Sequence, residues 1–216
     1  MQGTGRRNAL RCAWAGMLGI ATHAVRAHPG HDRAPPSAAG ADPTAATPTP
    51  AQVRLPEARL LDQDGRTLEL RRDVIGGHIV LVDFVYTSCT TVCPVLSALL
   101  GALQERLGPD VRLVSITVDP LRDTPARLKA HAATHRAGPA WTWLTGAPGT
   151  IDAVLRGFGA AASEPARHPA MVLVGDGRSG RWTRFTGLPD PQRLLAQVEE
   201  LRRGRTALAG TAGSAS

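Results

Sequence analysis

The chain has 216 residues, a hydrophobic fraction of 43% and a formal charge of +7, enough for one packed domain with tails. Arg6, Arg7, Arg11 and Arg26 account for four of those seven charges, and the other basic residues are scattered without interleaved aromatics. This excludes a nucleic-acid groove, which needs a basic track with stacking rings along it.

Arg6, Arg7 and Arg11 precede Cys12 to Thr22, a mostly apolar run of 11 residues that is too short to span a bilayer. With the small-x-small stretch Val25-Arg26-Ala27 behind it, the segment 1–27 reads as a signal peptide. The expectation is an exported, periplasmic protein; an uncleaved anchor in the inner membrane is the competing reading, and the only one that brings membrane contact. Arg6-Arg7 by itself is weak support for twin-arginine export. Residues 28–52 are rich in Pro, Ala and Thr and have no apolar period, so they are expected to form a linker. His28 and His31 at its start can catch Cu(II) or Zn(II), although short exposed His pairs are commonly incidental.

The domain is expected over residues 53–204. Leu60-Leu61 and Leu68-Glu69-Leu70 flank Asp64-Gly65 and predict an N-terminal β-hairpin. Ile79 to Tyr86 is a nearly unbroken apolar run that suits a strand buried on both faces. Pro94 falls in the first turn of a helix whose Leu96, Leu99, Leu100, Leu103 and Leu107 recur at helical spacing. Val111 to Val118 is a second buried strand. Thr124-Pro125 is a cap-plus-proline start for a helix to about His135. Trp141 to Leu144 predicts a short strand, and Thr150 to Phe158 a helix. Met171 to Val174 should pair with Trp182 to Phe185 across Asp176-Gly177. Asp190-Pro191 then opens a last helix with Leu194, Leu195, Val198 and Leu201 buried. This order predicts an α/β fold, a mixed central sheet flanked by helices. The Ala, Gly, Ser and Thr-rich tail at 205–216 is expected to be disordered.

Cys12 would leave with a signal peptide, so Cys89 and Cys93 remain as a pair able to close in an oxidising compartment. A loop that small gains only about 2 kcal/mol from closure, so stability is a poor reason for the spacing. Phe84-Val-Tyr-Thr-Ser-Cys-Thr-Thr-Val-Cys-Pro94 puts both thiols between the end of a buried strand and a helix start, where unpaired N–H groups favour thiolate. Two thiolates suit Cu(I) and can also begin a zinc site. His168, in the polar loop before Met171, is the best candidate for a third ligand. Asp119, Arg122 and Asp123 read as a capped, ion-paired loop, with a supporting or docking role at the site as the alternative. His78, His131 and His135 read as surface residues, and Trp141 and Trp143 as one core and one partly exposed position.

From about Val53 to Leu201 the chain resembles the SCO/SenC family. The resemblance rests on Phe84 through Pro94, Asp119-Pro-Leu-Arg-Asp-Thr-Pro125, Trp143-Leu-Thr-Gly146, and His168 followed by a strand and Asp176-Gly177. It implies a thioredoxin-like fold and a role in assembling the binuclear copper centre of cytochrome c oxidase. It also implies copper as the bound metal, with Cys89, Cys93 and His168 as ligands. The implied partner is the copper-bearing subunit of cytochrome c oxidase or another cuproprotein. A copper metallochaperone is thus the preferred function. A thiol–disulfide oxidoreductase using Cys89 and Cys93 as a redox pair, recharged by a thiol reductant, is the alternative. The chain departs from the pattern at Thr90, where members often carry Pro, and at Arg167, where they often carry Asp. Pro169 after His168 is a further departure. A cation beside the histidine disfavours its protonation and repels a metal ion.

Overall fold

The computed structural model describes residues 47–213. The expected signal peptide, His28 and His31, the linker up to residue 46 and the last three residues lie outside them. Eight strands form one sheet: β1 (Pro48–Pro50), β2 (Arg59–Asp62), β3 (Thr67–Glu69), β4 (Ile79–Val85), β5 (Val111–Thr117), β6 (Trp141–Thr145), β7 (Met171–Asp176) and β8 (Trp182–Thr186). Their spatial order is β1-β8-β7-β4-β5-β6-β2-β3. The central β4, β5 and β6 run parallel, and the remaining pairs are antiparallel. Parallel neighbours need a crossover, and α1 (Val92–Leu103) and α2 (Pro125–Thr134) supply the two that link them. With α3 (Pro148–Phe158) and α4 (Pro191–Gly213) they complete a mixed α/β sandwich, as the alternation of patterns predicts.

Every residue of β4 is buried, and its side chains alternate between two cores because the strand period is two. Ile79, Leu81 and Val85 pack with Leu96 and Leu100 of α1, Leu128 of α2 and Val198 of α4. Val80, Val82 and Phe84 pack with Ile151, Val154 and Phe158 of α3. Local chemistry sets the element ends. Thr124 Oγ1 accepts from Arg127 N at 3.3 Å ahead of Pro125, and Asp190 Oδ1 accepts from Gln192 N at 2.8 Å ahead of α4. In the β2–β3 hairpin, Asp62 Oδ1 accepts from Asp64 N at 2.9 Å and Arg66 N at 2.8 Å, while Gly65 takes φ 78°. Only glycine adopts that φ without steric cost.

Four expectations change. Residues 48–50, assigned to the linker, form β1 on β8, so the sheet begins before Val53; an edge strand tolerates prolines because no second neighbour asks for their missing N–H. The tail expected to be disordered from residue 205 is helical as far as Gly213. Its alanines favour helix, and Arg205 bonds Asp176 Oδ1 from Nη2 at 2.5 Å and Nε at 3.1 Å, a long-range tie that composition does not reveal. Trp141 and Trp143 are both buried, at 1% and 0% exposure. They share a face at a two-residue step and stack at 5.0 Å between ring centroids. That face is covered by α2, and His131 of the helix and His135 just past its end lie half-buried, 5.4 and 6.3 Å from the Trp143 ring, instead of on the open surface.

Candidate thiol and metal site

The site is built where β4 and β5 end. After Val85 the chain turns, Cys89 N donating to Tyr86 O at 3.0 Å, and Cys93 is the second residue of α1. The turn is pinned from the neighbouring loop. Thr87 N donates to both oxygens of Asp123 at 3.1 and 3.2 Å, Thr87 Oγ1 donates to Oδ1 at 2.6 Å, and Thr117 Oγ1 donates to Oδ2 at 2.7 Å. Asp123 is buried, and Arg122 is ion-paired with Asp119 at 3.0 Å. The charged loop is therefore ion-paired as expected, and it also fixes the cysteine turn to β5.

Cys89, Cys93, Tyr86, Phe84, His168 and Pro169 all line one cavity of about 30 Å³, room for a single ion or water. His168 arrives from the other side of β4, after the short turn Pro165–Arg167. Its ring lies 5.2 Å from that of Phe84, and its Nε2 is buried without a hydrogen-bond partner. Burial lowers the imidazole pKa, and backbone hydrogen bonds to Ala160 and Pro169 oppose that only in part. Burial thus favours the neutral ring, and Nε2 is left without a protein partner. Arg167 is exposed, its Nε 3.8 Å from Glu164 Oε2, and it does not line the cavity. The cation next to His168 in sequence thus points away from the site.

The two thiols differ. Burial pushes the Cys89 thiol up, but the Cys93 thiol, the backbone N–H groups of Thr91 and Cys93 and the Thr91 hydroxyl together bring it down to about 7. For Cys93, burial and then the hydrogen bond and charge of Cys89 push it up to about 12. The proton of the pair therefore resides on Cys93 while Cys89 carries the charge. Tyr86 is also held up at about 12, first by its hydrogen bond to Cys89 and then by burial, so its hydroxyl stays a donor toward that sulfur. Both cysteines are free thiols in this conformation. Among the described residues, no three His, Cys, Asp or Glu side chains already stand as a set able to hold a metal ion.

Asp83 is a residue that motif reading passed over. It is fully buried on the α1 face of β4, with Ser115 Oγ donating to its Oδ1 at 2.5 Å and Trp141 Nε1 donating to Ser115 Oγ at 2.9 Å. Its Oδ2 has no partner, nor has the buried Ser97 Oγ one turn beyond Cys93. Burial raises its carboxyl to about 7 against the opposing Ser115 bond, and its charge contributes to the raised Cys93 pKa. An acid inside an apolar strand run was the available signal.

A family model described as SCO1/SenC matches residues 47–203. The SCO1 protein homolog of Bacillus subtilis is 38% identical over 89 residues, covering 39% of this chain and 45% of that protein. The match thus spans less than half the length of that curated relative. In structure, the chain resembles BsSco, described as a member of the Sco family of cytochrome c oxidase assembly proteins with a disulfide switch. The TM-score is 0.61 at 26% identity, over 70% of this chain and 95% of the other. It shares its fold with copper-bound ScoI of Bradyrhizobium japonicum at a TM-score of 0.55 and 24% identity, over 72% and 98% of the two chains. With its thioredoxin-like fold and its two cysteines and histidine on one cavity, the chain belongs to the SCO1/SenC family.

Proposed function

We propose that this chain is an exported copper chaperone, holding copper through Cys89, Cys93 and His168 and passing it to a cuproprotein, the binuclear centre of cytochrome c oxidase first among them. The observation that carries the reading is the cavity of about 30 Å³ shared by these three side chains, with His168 Nε2 buried and unpartnered beside it. A buried nitrogen with no partner is costly unless something completes it. Two sulfurs and a neutral imidazole form a soft donor set that favours Cu(I). Loading requires Cys93 to give up its proton and the side chains to turn toward the ion, so uptake should release protons. The copper-bound ScoI neighbour and the family's tie to oxidase assembly support the same assignment.

The unequal thiols support a second reading, a thiol–disulfide oxidoreductase. A thiol brought down to about 7 beside one at about 12 is suited to attack followed by resolution. His168 separates the two readings. In an anaerobic competition titration against a Cu(I) chelator, the reduced chain should hold one equivalent, and His168→Ala should bind at least about tenfold more weakly while still reducing a model disulfide. Unchanged affinity in that variant would move the assignment to the oxidoreductase.

Export is part of the same proposal. No helix of the described residues is long and apolar enough to cross a membrane, and the basic-then-apolar segment 1–27 supplies the address. Intact-mass measurement on protein from the native envelope tests it: a mass lacking the first 27 residues supports export with cleavage, and a full-length mass in the membrane fraction supports an anchor instead.

A further inference from the structure

His168 borders two cavities. One is the thiol cavity; the other is an open groove of about 290 Å³ on the far side of the imidazole, between residues 118–122, residues 162–165 and the α3 side chains Asp152 and Leu155. His168 is the residue common to the two linings, so a molecule lying in this groove meets the residue that also borders the thiols.

Two features of the groove indicate what it takes. At its rim Leu121 is 79% exposed, yet it is not on a loose loop. Arg122 N and Asp123 N donate to Asp119 O at 3.1 and 2.9 Å, and the Arg122–Asp119 ion pair closes the turn at 3.0 Å. A large apolar side chain presented on a rigid turn can be buried by a partner at little ordering cost. The second feature is charge. The chain carries +7 overall, four of it in the segment 1–27, but the groove is lined by Asp119, Asp152 and Glu164 against the single lining cation Arg122. Arg122 is committed to Asp119, Glu164 has the exposed Arg167 at 3.8 Å from outside the lining, and Asp152 has no ion pair among those found in the described residues. The mouth of the site is therefore an acidic recess on a basic protein.

We infer that this groove docks a basic, cysteine-bearing segment of the partner protein, with Lys or Arg against Asp152 and Glu164 and an apolar side chain against Leu121. The inference rests on the thiol and copper reading of the site. Complementary charge raises encounter rates and fixes orientation more than it raises affinity, which suits a partner that must leave after exchange.

The test uses the reduced full-length chain under anaerobic conditions and three short synthetic peptides. Each carries one cysteine, flanked by lysines, serines or glutamates, as its mixed disulfide with 2-thiopyridine. The protein dithiol supplies two electrons: one sulfur attacks the peptide sulfur and expels thiopyridone, the second closes the protein disulfide, and the peptide leaves as a thiol. Each rate is divided by that of the same peptide with mercaptoethanol, to remove intrinsic reactivity. The lysine peptide should react about tenfold faster than the glutamate peptide at low salt. The preference should vanish at high salt and in Asp152→Asn/Glu164→Gln, and Leu121→Ser should slow all three peptides about fivefold. In parallel, amide shifts of the labelled chain are followed on adding the lysine peptide with serine in place of its cysteine; Leu121, Asp152 and Ser163 should move. Exchange without those shifts, or without the charge preference, overturns the docking inference and leaves the function intact. Shifts at the groove with no thiol exchange support the docking site and count against the oxidoreductase reading instead.

Discussion

The two faces of the central sheet are built differently, and the site stands at the seam between them. The α3 face is apolar at the centres of β4 and β5, with Val80, Val82, Phe84, Val114 and Ile116 against Ile151, Val154 and Phe158; its cation, Arg184 of β8, stands toward the sheet edge and donates to Phe158 O at 2.8 Å. The face toward α1, α2 and α4 has the same aliphatic framework but also carries Asp83, Ser115, Ser97 and the Trp141 N–H in its interior. From the apolar face the site receives Phe84 and His168, a ring kept neutral by burial with Nε2 unsatisfied. From the polar face it receives Cys93, whose proton is held by burial, Cys89 and the charge of Asp83. One side therefore tunes the imidazole by excluding polarity, and the other tunes the thiols by including it.

The sharpest way to break this contrast is a truncation on the apolar face. Phe158→Ala removes a fully buried ring and should cost about 3–5 kcal/mol in denaturant unfolding while leaving the pH dependence of stability unchanged. The polar face should behave in the opposite manner. The Asp83 carboxyl is raised from 3.8 to about 7 in the folded chain, so between those values the folded state holds a proton that the unfolded state does not. Stability from this group is accordingly present in acid and is lost as pH rises through about 7, by up to about 4 kcal/mol. Urea midpoints measured from pH 4 to 8 should show that slope in the wild type and lose it in Asp83→Asn. Equal slopes in the two proteins would mean that Asp83 ionises freely and that the faces do not differ in this way.

At the seam itself, alkylation should resolve the two thiols. The reactivity of Cys89 should rise through about pH 7, whereas Cys93 should stay protected far above it. Peptide mapping after brief iodoacetamide treatment checks this, and equal labelling would show that the polar face does not hold the Cys93 proton. The smallest effect belongs to the disulfide. Closing five residues should add no more than about 2 kcal/mol, so thermal unfolding of oxidised and reduced protein should differ modestly; collapse on reduction would make the pair structural.

Much of this arrangement was readable from the residues because it is local. The nearly continuous apolar run of β4, the leucine spacing of α1 and the Thr124-Pro125 and Asp190-Pro191 starts each follow from periodicity or capping within a few residues, and the structure places all of them as expected. The Cys-x3-Cys-Pro spacing marked the thiols by the same logic. Asp83 was passed over because its meaning depends on Ser115 and Trp141, 32 and 26 residues from their partners. The burial of Trp143 depends on α2 lying across β6, and the extension of α4 on Arg205 finding Asp176.

The strand and helix pattern, the placement of Cys89 and Cys93 at a helix start and the candidacy of His168 are legible in short segments, since propensity, period and donor type are local properties. That His168 shares a cavity with the thiols, that Arg167 turns away from it and that the two thiols hold their protons unequally is visible only in the folded chain. Those outcomes depend on which groups are brought close and how far water is excluded from them, and both are set by the packing of β4 between helices drawn from the whole chain.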